Sequence, residues 1–167
     1  FSNKIHSAFF FFLCNLWMCT HSQGLEKITF RSSFFSMMTP EPHRYESLSN
    51  EVRALCEDTE HNLWVGLKDS KIRIYDKNRT ELGYFTETGT ISHTGVPLKG
   101  NTYCIFQDSK HNIWIATKGE GLVKARPQGG GHYKLTRYCH SRDDIYSLSD
   151  NNVYCVYEDV KGRIWVA

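Results

Sequence analysis

A pattern of short apolar runs separated by polar turns recurs three times along the chain. The three stretches align without a gap, and they are residues 52–66, 102–116 and 153–167. Their tryptophans, Trp64, Trp114 and Trp165, lie about 50 residues apart. Each stretch begins with a run in which apolar positions alternate and ends with a run that is apolar on both faces, as in a covered sheet. The pattern therefore predicts a strand, a polar turn and a second strand in each copy.

The polar turn has its own regularities. It begins with an aspartate, for example Asp58, whose carboxylate can accept hydrogen bonds from backbone N–H groups two or three residues on. One turn position holds His61, His111 and Gly162 in the three copies. A position that accepts either His or Gly favours a left-handed backbone conformation. We therefore predict a positive φ at these three residues.

Further strands can be traced after the first two tryptophans. Polar turns precede or separate the candidate strands at residues 72–75, 82–85, 122–125 and 133–138. About four strands in ~50 residues is the size of one propeller blade. The predicted fold is therefore all-β, a partial β-propeller of about two and a half four-stranded blades. Its parts are blade repeat 1 at 47–97, blade repeat 2 at 98–147 and a truncated blade repeat 3 at 148–167.

The N-terminal segment has a different composition. A basic start precedes an apolar run at residues 8–19, and small residues follow it, ending at Ser22. This order is typical of a secretory signal peptide, which we predict at 1–22 with cleavage after Ser22. The alternatives are a buried strand or an uncleaved anchor, because the run is shorter than the ~20 residues of a membrane span. A lead-in strand region is predicted at 23–46, with a strand at 28–31 from an earlier blade or from ring closure.

Composition and charge narrow the function classes. The formal net charge of +2 is near balance and gives no case for nucleic-acid binding, which usually needs a clustered basic face, so no nucleic-acid partner is expected. Aromatic residues make up 14% of the chain, and this content suits β-structure better than disorder.

Export would place four cysteines of the repeats, Cys56, Cys104, Cys139 and Cys155, in an oxidising compartment. Cys104 and Cys155 occupy the same repeat position in neighbouring blades. Stacked sheets lie ~10 Å apart, whereas a disulfide needs Cα atoms within about 7 Å. We therefore predict that these two cysteines do not pair and are small core residues. Cys139 lies beside His140 in a connection, and no further ligand gives this pair metal-site spacing.

The remaining chemistry-bearing residues fit architecture better than catalysis. His61 and His111 are predicted to be surface turn residues, and the three tryptophans are predicted to be core rather than sugar-stacking platforms. The adjacent carboxylates Glu158 and Asp159 recur at repeat positions, which indicates a structural role. The sequence assigns no catalytic, cofactor-binding or metal-binding residue and predicts no cofactor, and it leaves the ligand-binding residues unassigned.

The recurring motif is an aspartate, two residues, His or Gly, one residue, an apolar residue, Trp, an apolar residue and a small residue. Carried by Asp58…Trp64, Asp108…Trp114 and Asp159…Trp165, it resembles the propeller repeat of bacterial two-component regulators. The resemblance covers residues 47–167. Residues 118–122, Lys-Gly-Glu-Gly-Leu, fit the family as well, whereas Leu67 stands where the family has Thr and residues 69–71 replace its glycine-rich turn.

The resemblance implies a large sensor of Bacteroidetes in which a periplasmic pair of propellers senses oligosaccharides. A β-sandwich, a membrane helix, a histidine kinase and often a receiver and DNA-binding domain follow. On this basis the chain is expected to be the N-terminal fragment of the extracytoplasmic ligand-sensing propeller of a sensor histidine kinase. Its expected partners are an oligosaccharide ligand, the remaining blades, the downstream domains and a second copy in a homodimer. The expected location is the periplasmic side of the inner membrane, and no enzymatic activity is expected of this part.

Two alternatives remain open: a secreted propeller enzyme, such as a lyase or glycosidase, and a protein-binding propeller adaptor. Glycosidase propellers of the sialidase type carry an aspartate box with Trp five residues after Asp. Here Trp64 lies six residues after Asp58, which disfavours that turn.

Overall fold

The computed structural model describes residues 5–11, 15–20, 24–29, 33–40 and 48–167, and its architecture is four antiparallel sheets. The N-terminal blade contains β1 (Ile5–Phe11), β2 (Asn15–Thr20), β3 (Gly24–Thr29) and β4 (Ser33–Met38). A 3₁₀ turn at Leu48–Asn50 leads into blade 1, which contains β5 (Val52–Glu57), β6 (Leu63–Leu67), β7 (Ile72–Tyr75), β8 (Glu81–Phe85) and β9 (Ile91–Ser92). Blade 2 contains β10 (Asn101–Gln107), β11 (Ile113–Lys118), β12 (Leu122–Gly129) and β13 (His132–Tyr138). Blade 3 is the hairpin of β14 (Val156–Glu158) and β15 (Ile164–Val166).

Each sheet is a meander in which consecutive strands are hydrogen-bonded neighbours. The first strand of each sheet, β1, β5, β10 or β14, is therefore an edge strand. These first strands also approach one another from sheet to sheet, with β5 between β1 and β10, and β10 between β5 and β14. They converge on a common centre from which the other strands run outward. This is the arrangement of propeller blades, and it confirms the predicted partial β-propeller.

Three apolar cores hold the blades face to face. Alternating side chains of each strand point to opposite faces, so a central blade contributes to two cores. Trp17, Cys19 and Leu25 of the N-terminal blade pack with Val52, Leu55, Leu63, Val65, Leu67 and Tyr75 of blade 1. The opposite face of blade 1 supplies Ala54, Cys56, Trp64, Ile72, Ile74 and Phe85, which pack against Ile105, Ile113, Ile115, Val123 and Ala125 of blade 2. Trp114, Ala116 and Leu122 pack against Val153 and Val156 of blade 3.

The segment predicted to be a signal peptide contains two strands in the structure. β1 and β2 lie within residues 1–22, and Trp17 and Cys19 of β2 are buried against blade 1. Of the interpretations of this segment, the buried strand is the one that the structure displays for the described residues. Removal of residues 1–22 on export stays a prediction. Cleavage after Ser22 would take Trp17 and Cys19 out of that core, so the intact mass of the mature protein would distinguish the two.

The lead-in region 23–46 contains β3 and β4. The strand predicted at 28–31 overlaps the end of β3, and residues 30–32 lie outside the described residues. The N-terminal blade thus adds one sheet to the blades that the repeat indicates. The repeat motif does not reveal it because Phe11, not Asp, stands six residues before Trp17. No helix in the described part of the chain is long and apolar enough to cross a membrane.

Candidate functional site

The aspartate at the start of each repeat turn bonds the tryptophan of the second strand. Asp58 Oδ1 accepts hydrogen bonds from the backbone N–H groups of Glu60 at 2.9 Å and Asn62 at 2.8 Å. Asp58 Oδ2 accepts one from Trp64 Nε1 at 2.9 Å. The backbone donors therefore lie two and four residues on, where the sequence predicted two or three. One carboxylate fixes both the turn and the indole that packs behind it.

The other copies repeat this geometry. The Trp114 indole donates to Asp108 at 2.8 Å, and the Trp165 indole donates to Asp159 at 2.9 Å. Burial acts to raise the pKa of Asp108, but hydrogen bonds from Asn112, Trp114 and the backbone of Lys110 hold it below its ordinary value. The hydrogen bond from the Trp165 side chain, the first of several, lowers the pKa of Asp159 to about 2. A lowered pKa keeps the Asp108 and Asp159 carboxylates ionised, the form in which they accept the hydrogen bonds of the turn.

The turn histidines have the predicted backbone conformation. His61 and His111 both have φ of 63°, and Gly162 has φ of 76°, so the predicted left-handed position is confirmed. His61 Nδ1 lies 2.8 Å from Glu57 Oε1, and His111 Nδ1 lies 3.2 Å from Thr59 Oγ1. Both rings lie on the surface, as predicted, and each has a local partner. Among the described residues, no group of three or more His, Cys, Asp or Glu side chains could hold a metal ion.

In blades 2 and 3 the residue before the turn aspartate, Gln107 or Glu158, ties the blade to the preceding one. Gln107 Oε1 accepts the backbone N–H of Thr59 in blade 1 at 2.8 Å. Glu158 accepts the backbone N–H of Ser109 at 2.6 Å and its hydroxyl at 2.8 Å. Both carboxylates of the Glu158–Asp159 pair thus make hydrogen bonds that hold the fold, Glu158 to blade 2 and Asp159 to Trp165.

The predicted core positions hold in blades 1 and 2 and fail in blade 3. Trp64 is 0% exposed and Trp114 is 7% exposed, whereas Trp165 is 56% exposed. Cys155, predicted to be a small core residue, is likewise exposed. Trp165 is exposed because no described strand packs over its side of β15. Cys56, Cys104, Cys139 and Cys155 are free thiols, and Cys139 is exposed.

A second column of the repeat has a different environment. Arg53, Tyr103 and Tyr154 occupy one position of the first strand, and we call these three residues the inner row. The register of β5 against β6 shifts between Val52 and Ala54, and β10 shifts against β11 at the equivalent point. Such an irregularity re-aims a side chain, and it is common beside functional sites. None of the three residues belongs to an inter-blade core.

The inner row is a continuous line of contacts around the centre of the propeller. The Arg53 guanidinium carbon lies 5.2 Å from the centre of the Tyr103 ring, and Arg53 Nη1 donates to the Tyr103 hydroxyl at 3.3 Å. The Tyr103 and Tyr154 rings are 5.2 Å apart at 72°, in an edge-to-face arrangement. Arg53 and Tyr103 are half-buried and Tyr154 is 54% exposed, so the row presents aromatic faces to its surroundings.

Charged and amide side chains flank the row at its Arg53 end. Arg53 Nη2 lies 3.6 Å from Glu51 Oε1, and Lys68 Nζ lies 2.7 Å from Glu51 Oε2. In blade 2 the position of Glu51 is taken by Asn101, which is paired in register with Lys118. An aromatic surface bordered by a guanidinium, a carboxylate and an amide can stack on an apolar face and hydrogen-bond to hydroxyl groups. This combination is typical of small-molecule sites.

Sequence reasoning missed the inner row because it treated strand positions as packing and searched loops for binding residues. The signal was nonetheless present in the alignment. The next position holds Ala54, Cys104 and Cys155, which are small, whereas this position holds an arginine and two tyrosines. Large polar or amphipathic side chains in an edge strand beside small ones need a partner other than the core.

The repeat can be compared with known families. Residues 46–69, 97–119 and 147–167 match the family model described as two component regulator propeller. The chain carries three two-component regulator propeller repeats. The matched segments contain all three Asp–Trp turns and the whole inner row. No curated protein matches the chain.

Solved structures share the fold of these regulator propeller repeats. The extracellular domain of the hybrid two-component system BT3049 of B. thetaiotaomicron is 23% identical, with a TM-score of 0.72, over 98% of this chain and 20% of that one. The extracellular domain of BT4673 from the same organism is 21% identical, with a TM-score of 0.71, over 98% and 20%. PorZ, a surface component of the type-IX secretion system of Porphyromonas gingivalis, is 13% identical, with a TM-score of 0.66, over 98% and 24%. The chain spans about a fifth of the length of the structures it matches.

Proposed function

We propose that the chain is part of the ligand-sensing propeller of a two-component sensor, and that its ligand is an oligosaccharide bound at the inner row. The observation that carries the proposal is the contact line of Arg53, Tyr103 and Tyr154 within regulator propeller repeats. Extracellular domains of two-component systems with the same fold support the sensing role and an extracytoplasmic location.

The chemistry of the inner row suits a sugar. A pyranose ring has one face rich in C–H groups, which packs on an aromatic ring, and equatorial hydroxyls that need hydrogen-bond partners. The exposed ring of Tyr154 and the neighbouring ring of Tyr103 supply two platforms at different angles. Arg53 and Glu51 supply donors and acceptors at one end of these platforms. A chain of two or more sugar units would contact both rings and the charged end together.

The chain's own part in this proposal is binding, and the response comes from other domains of the parent protein. We propose a histidine kinase output, a homodimeric parent and a location on the periplasmic side of the inner membrane. A sugar that contacts several residues of the inner row would favour one spacing between the first strands of neighbouring blades. A ligand shifts a conformational equilibrium only through its different affinity for the two states.

Titration calorimetry with a panel of neutral and acidic oligosaccharides tests the proposal. We expect heat with at least one class of sugar, and a loss of affinity of about tenfold or more for Tyr103→Ala, because a central aromatic contact is removed. Tyr103→Phe keeps the aromatic ring, so its affinity for the sugar should fall only a few-fold. Tyr146→Ala is the matched control, since Tyr146 is 91% exposed and lies outside the row.

Two results would overturn this assignment. The absence of heat with every sugar in the panel would contradict the proposal that the ligand is an oligosaccharide. Binding that is equally strong in wild type and Tyr103→Ala would remove the inner row as its site.

A further inference from the structure

Two thiols lie directly behind the tyrosines of the inner row. Cys104 follows Tyr103 in β10, and Cys155 follows Tyr154 in the first strand segment of blade 3. The sulfur atoms approach one backbone carbonyl, with Cys104 Sγ 3.8 Å and Cys155 Sγ 4.0 Å from Val156 O. Two sulfurs from neighbouring blades thus converge on a single oxygen.

The approach of the first strands explains this proximity. Tyr103 and Tyr154 are in ring contact on one side of the cysteines, and Phe106 and Tyr157 are in contact on the other, with centroids 6.3 Å apart. Cα atoms of β10 and β14 come within 8 Å of each other. The sequence prediction used the ~10 Å spacing of stacked sheets, which describes blades at a distance from the centre. Near the centre the strands converge, and this convergence brings the two cysteines toward the ~4.4–6.8 Å Cα separation of a disulfide.

We propose that Cys104 and Cys155 form a thiol–disulfide modification site that joins blade 2 to blade 3. The oxidant is a low-molecular-weight or protein disulfide. The Cys155 thiolate attacks one sulfur of that disulfide, forms a mixed disulfide and releases the first thiolate. The Cys104 thiolate then attacks Cys155 Sγ, forms the Cys104–Cys155 bond and releases the second. Two thiol protons and two electrons leave the protein, and the oxidant becomes two thiols.

The environments of the two thiols fit this order of attack. Cys155 is exposed and is therefore the one that an oxidant reaches, whereas Cys104 is half-buried. Burial, with the adjacent Cys155 thiol as a further cause, raises the pKa of Cys104 to about 11. The thiolate is the attacking species, so closure by Cys104 is the slow step.

A bond at this position would fix the spacing of Tyr103 and Tyr154, each one residue away. The proposal of a thiol–disulfide site is based on the positions of the two sulfur atoms and does not require that a sugar binds. Only the expectation of an oxidising compartment rests on the proposed function. Its test is therefore a thiol measurement that needs no sugar.

The experiment incubates the full chain with oxidised glutathione, traps remaining thiols with iodoacetamide after denaturation, and maps the peptides by mass spectrometry without reduction. We expect a Cys104–Cys155 linked peptide, a loss of two alkylated thiols and full reversal by dithiothreitol. Cys104→Ser and Cys155→Ser should each abolish the link. Cys139→Ser is the matched control, because Cys139 is exposed and should leave the link unchanged.

A persistent glutathione adduct on Cys155 with no closure would overturn the proposal, as would linkage of Cys104 or Cys155 to another cysteine in preference. Far-ultraviolet circular dichroism of the serine variants separates loss of the link from loss of the fold. Cys155→Ser changes an exposed side chain, so it retains the fold and keeps the test decisive if Cys104→Ser is unfolded.

Discussion

The two interfaces on either side of blade 2 use the same sequence motif and reach different degrees of closure. Between blades 1 and 2, Trp64 lies in a three-ring cluster, 5.1 Å from Phe85 and 5.5 Å from Tyr133, which are themselves 5.4 Å apart. Between blades 2 and 3, Trp114 stacks on Tyr138 at 5.9 Å and borders a cavity of about 480 Å³. The cluster at Trp64 is completed by β13, the fourth strand of the following blade. The hairpin of blade 3 supplies no counterpart to that strand among the described residues.

The comparison separates what is local in the repeat from what is tertiary. The indole–carboxylate distances are 2.9, 2.8 and 2.9 Å in the three copies. Their tryptophans nevertheless range from fully buried to half-exposed. The turn therefore forms from its own residues, whereas the burial of the indole needs the outer strands of the next blade.

The largest expected effect is at the tryptophan column. Trp64→Ala should lower the free energy of unfolding by about 3–5 kcal/mol, because it leaves a cavity in a closed core. The matched variant Trp165→Ala should cost much less, since that indole is half-exposed. Urea unfolding followed by far-ultraviolet circular dichroism measures both. Equal losses of unfolding free energy in the two variants would contradict the distinction between the closed interface at Trp64 and the open side of blade 3 at Trp165.

The next effect is at the aspartate column. Asp108→Ala removes the acceptor of four hydrogen-bond donors, the backbone N–H groups of Lys110 and Asn112 and the side chains of Asn112 and Trp114. Buried donors left unpaired cost about 1–3 kcal/mol each at most, so we expect a total loss of about 2–4 kcal/mol after relaxation. Asp159→Ala, on the more exposed turn of blade 3, should lose less. A null result for Asp108→Ala by the same urea measurement would contradict the anchoring role.

Features fixed by residues close in sequence could be predicted from the sequence, whereas features that depend on neighbouring blades could not. The turns, the left-handed His61 and His111, and the core side chains of blades 1 and 2 were predictable because each is fixed by residues close in sequence. The exposure of Trp165 and Cys155 was not, because it depends on which strands cover them. The approach of Cys104 to Cys155 and the inner row depend on the convergence of first strands, which the repeat period does not contain.

Acid should weaken the protein through the same aspartates. The pKa of Asp108 is lowered in the folded state, and that of Asp159 is lowered to about 2 from an ordinary value of 3.8. A lowered pKa contributes stability that is present above pH ~4 and is lost as the pH falls toward the folded value. The urea midpoint should therefore decrease as the pH is lowered from 5 to 2. Asp108→Asn should make this dependence of the midpoint on pH less steep. An unchanged slope in that variant would assign the acid sensitivity to other groups.

The smallest expected effect is at the left-handed turn position. His111→Gly should change the free energy of unfolding by less than about 1 kcal/mol, because Gly adopts φ near 63° without strain and loses only the contact to Thr59. His111→Val should cost more, about 1–2 kcal/mol, because a β-branched residue resists this conformation. The natural Gly162 in blade 3 is the internal reference. Equal thermal midpoints for the two variants, both well below that of the wild type, would show that the histidine ring rather than the backbone conformation stabilises the turn.

A crystal structure of the chain with the oligosaccharide that binds most tightly in the calorimetric panel tests the central claim most directly. The account predicts a sugar ring packed on Tyr103 or Tyr154, with its hydroxyls bonded to Arg53 or Glu51. A sugar bound elsewhere, with the inner row unchanged from the ligand-free form, would contradict it.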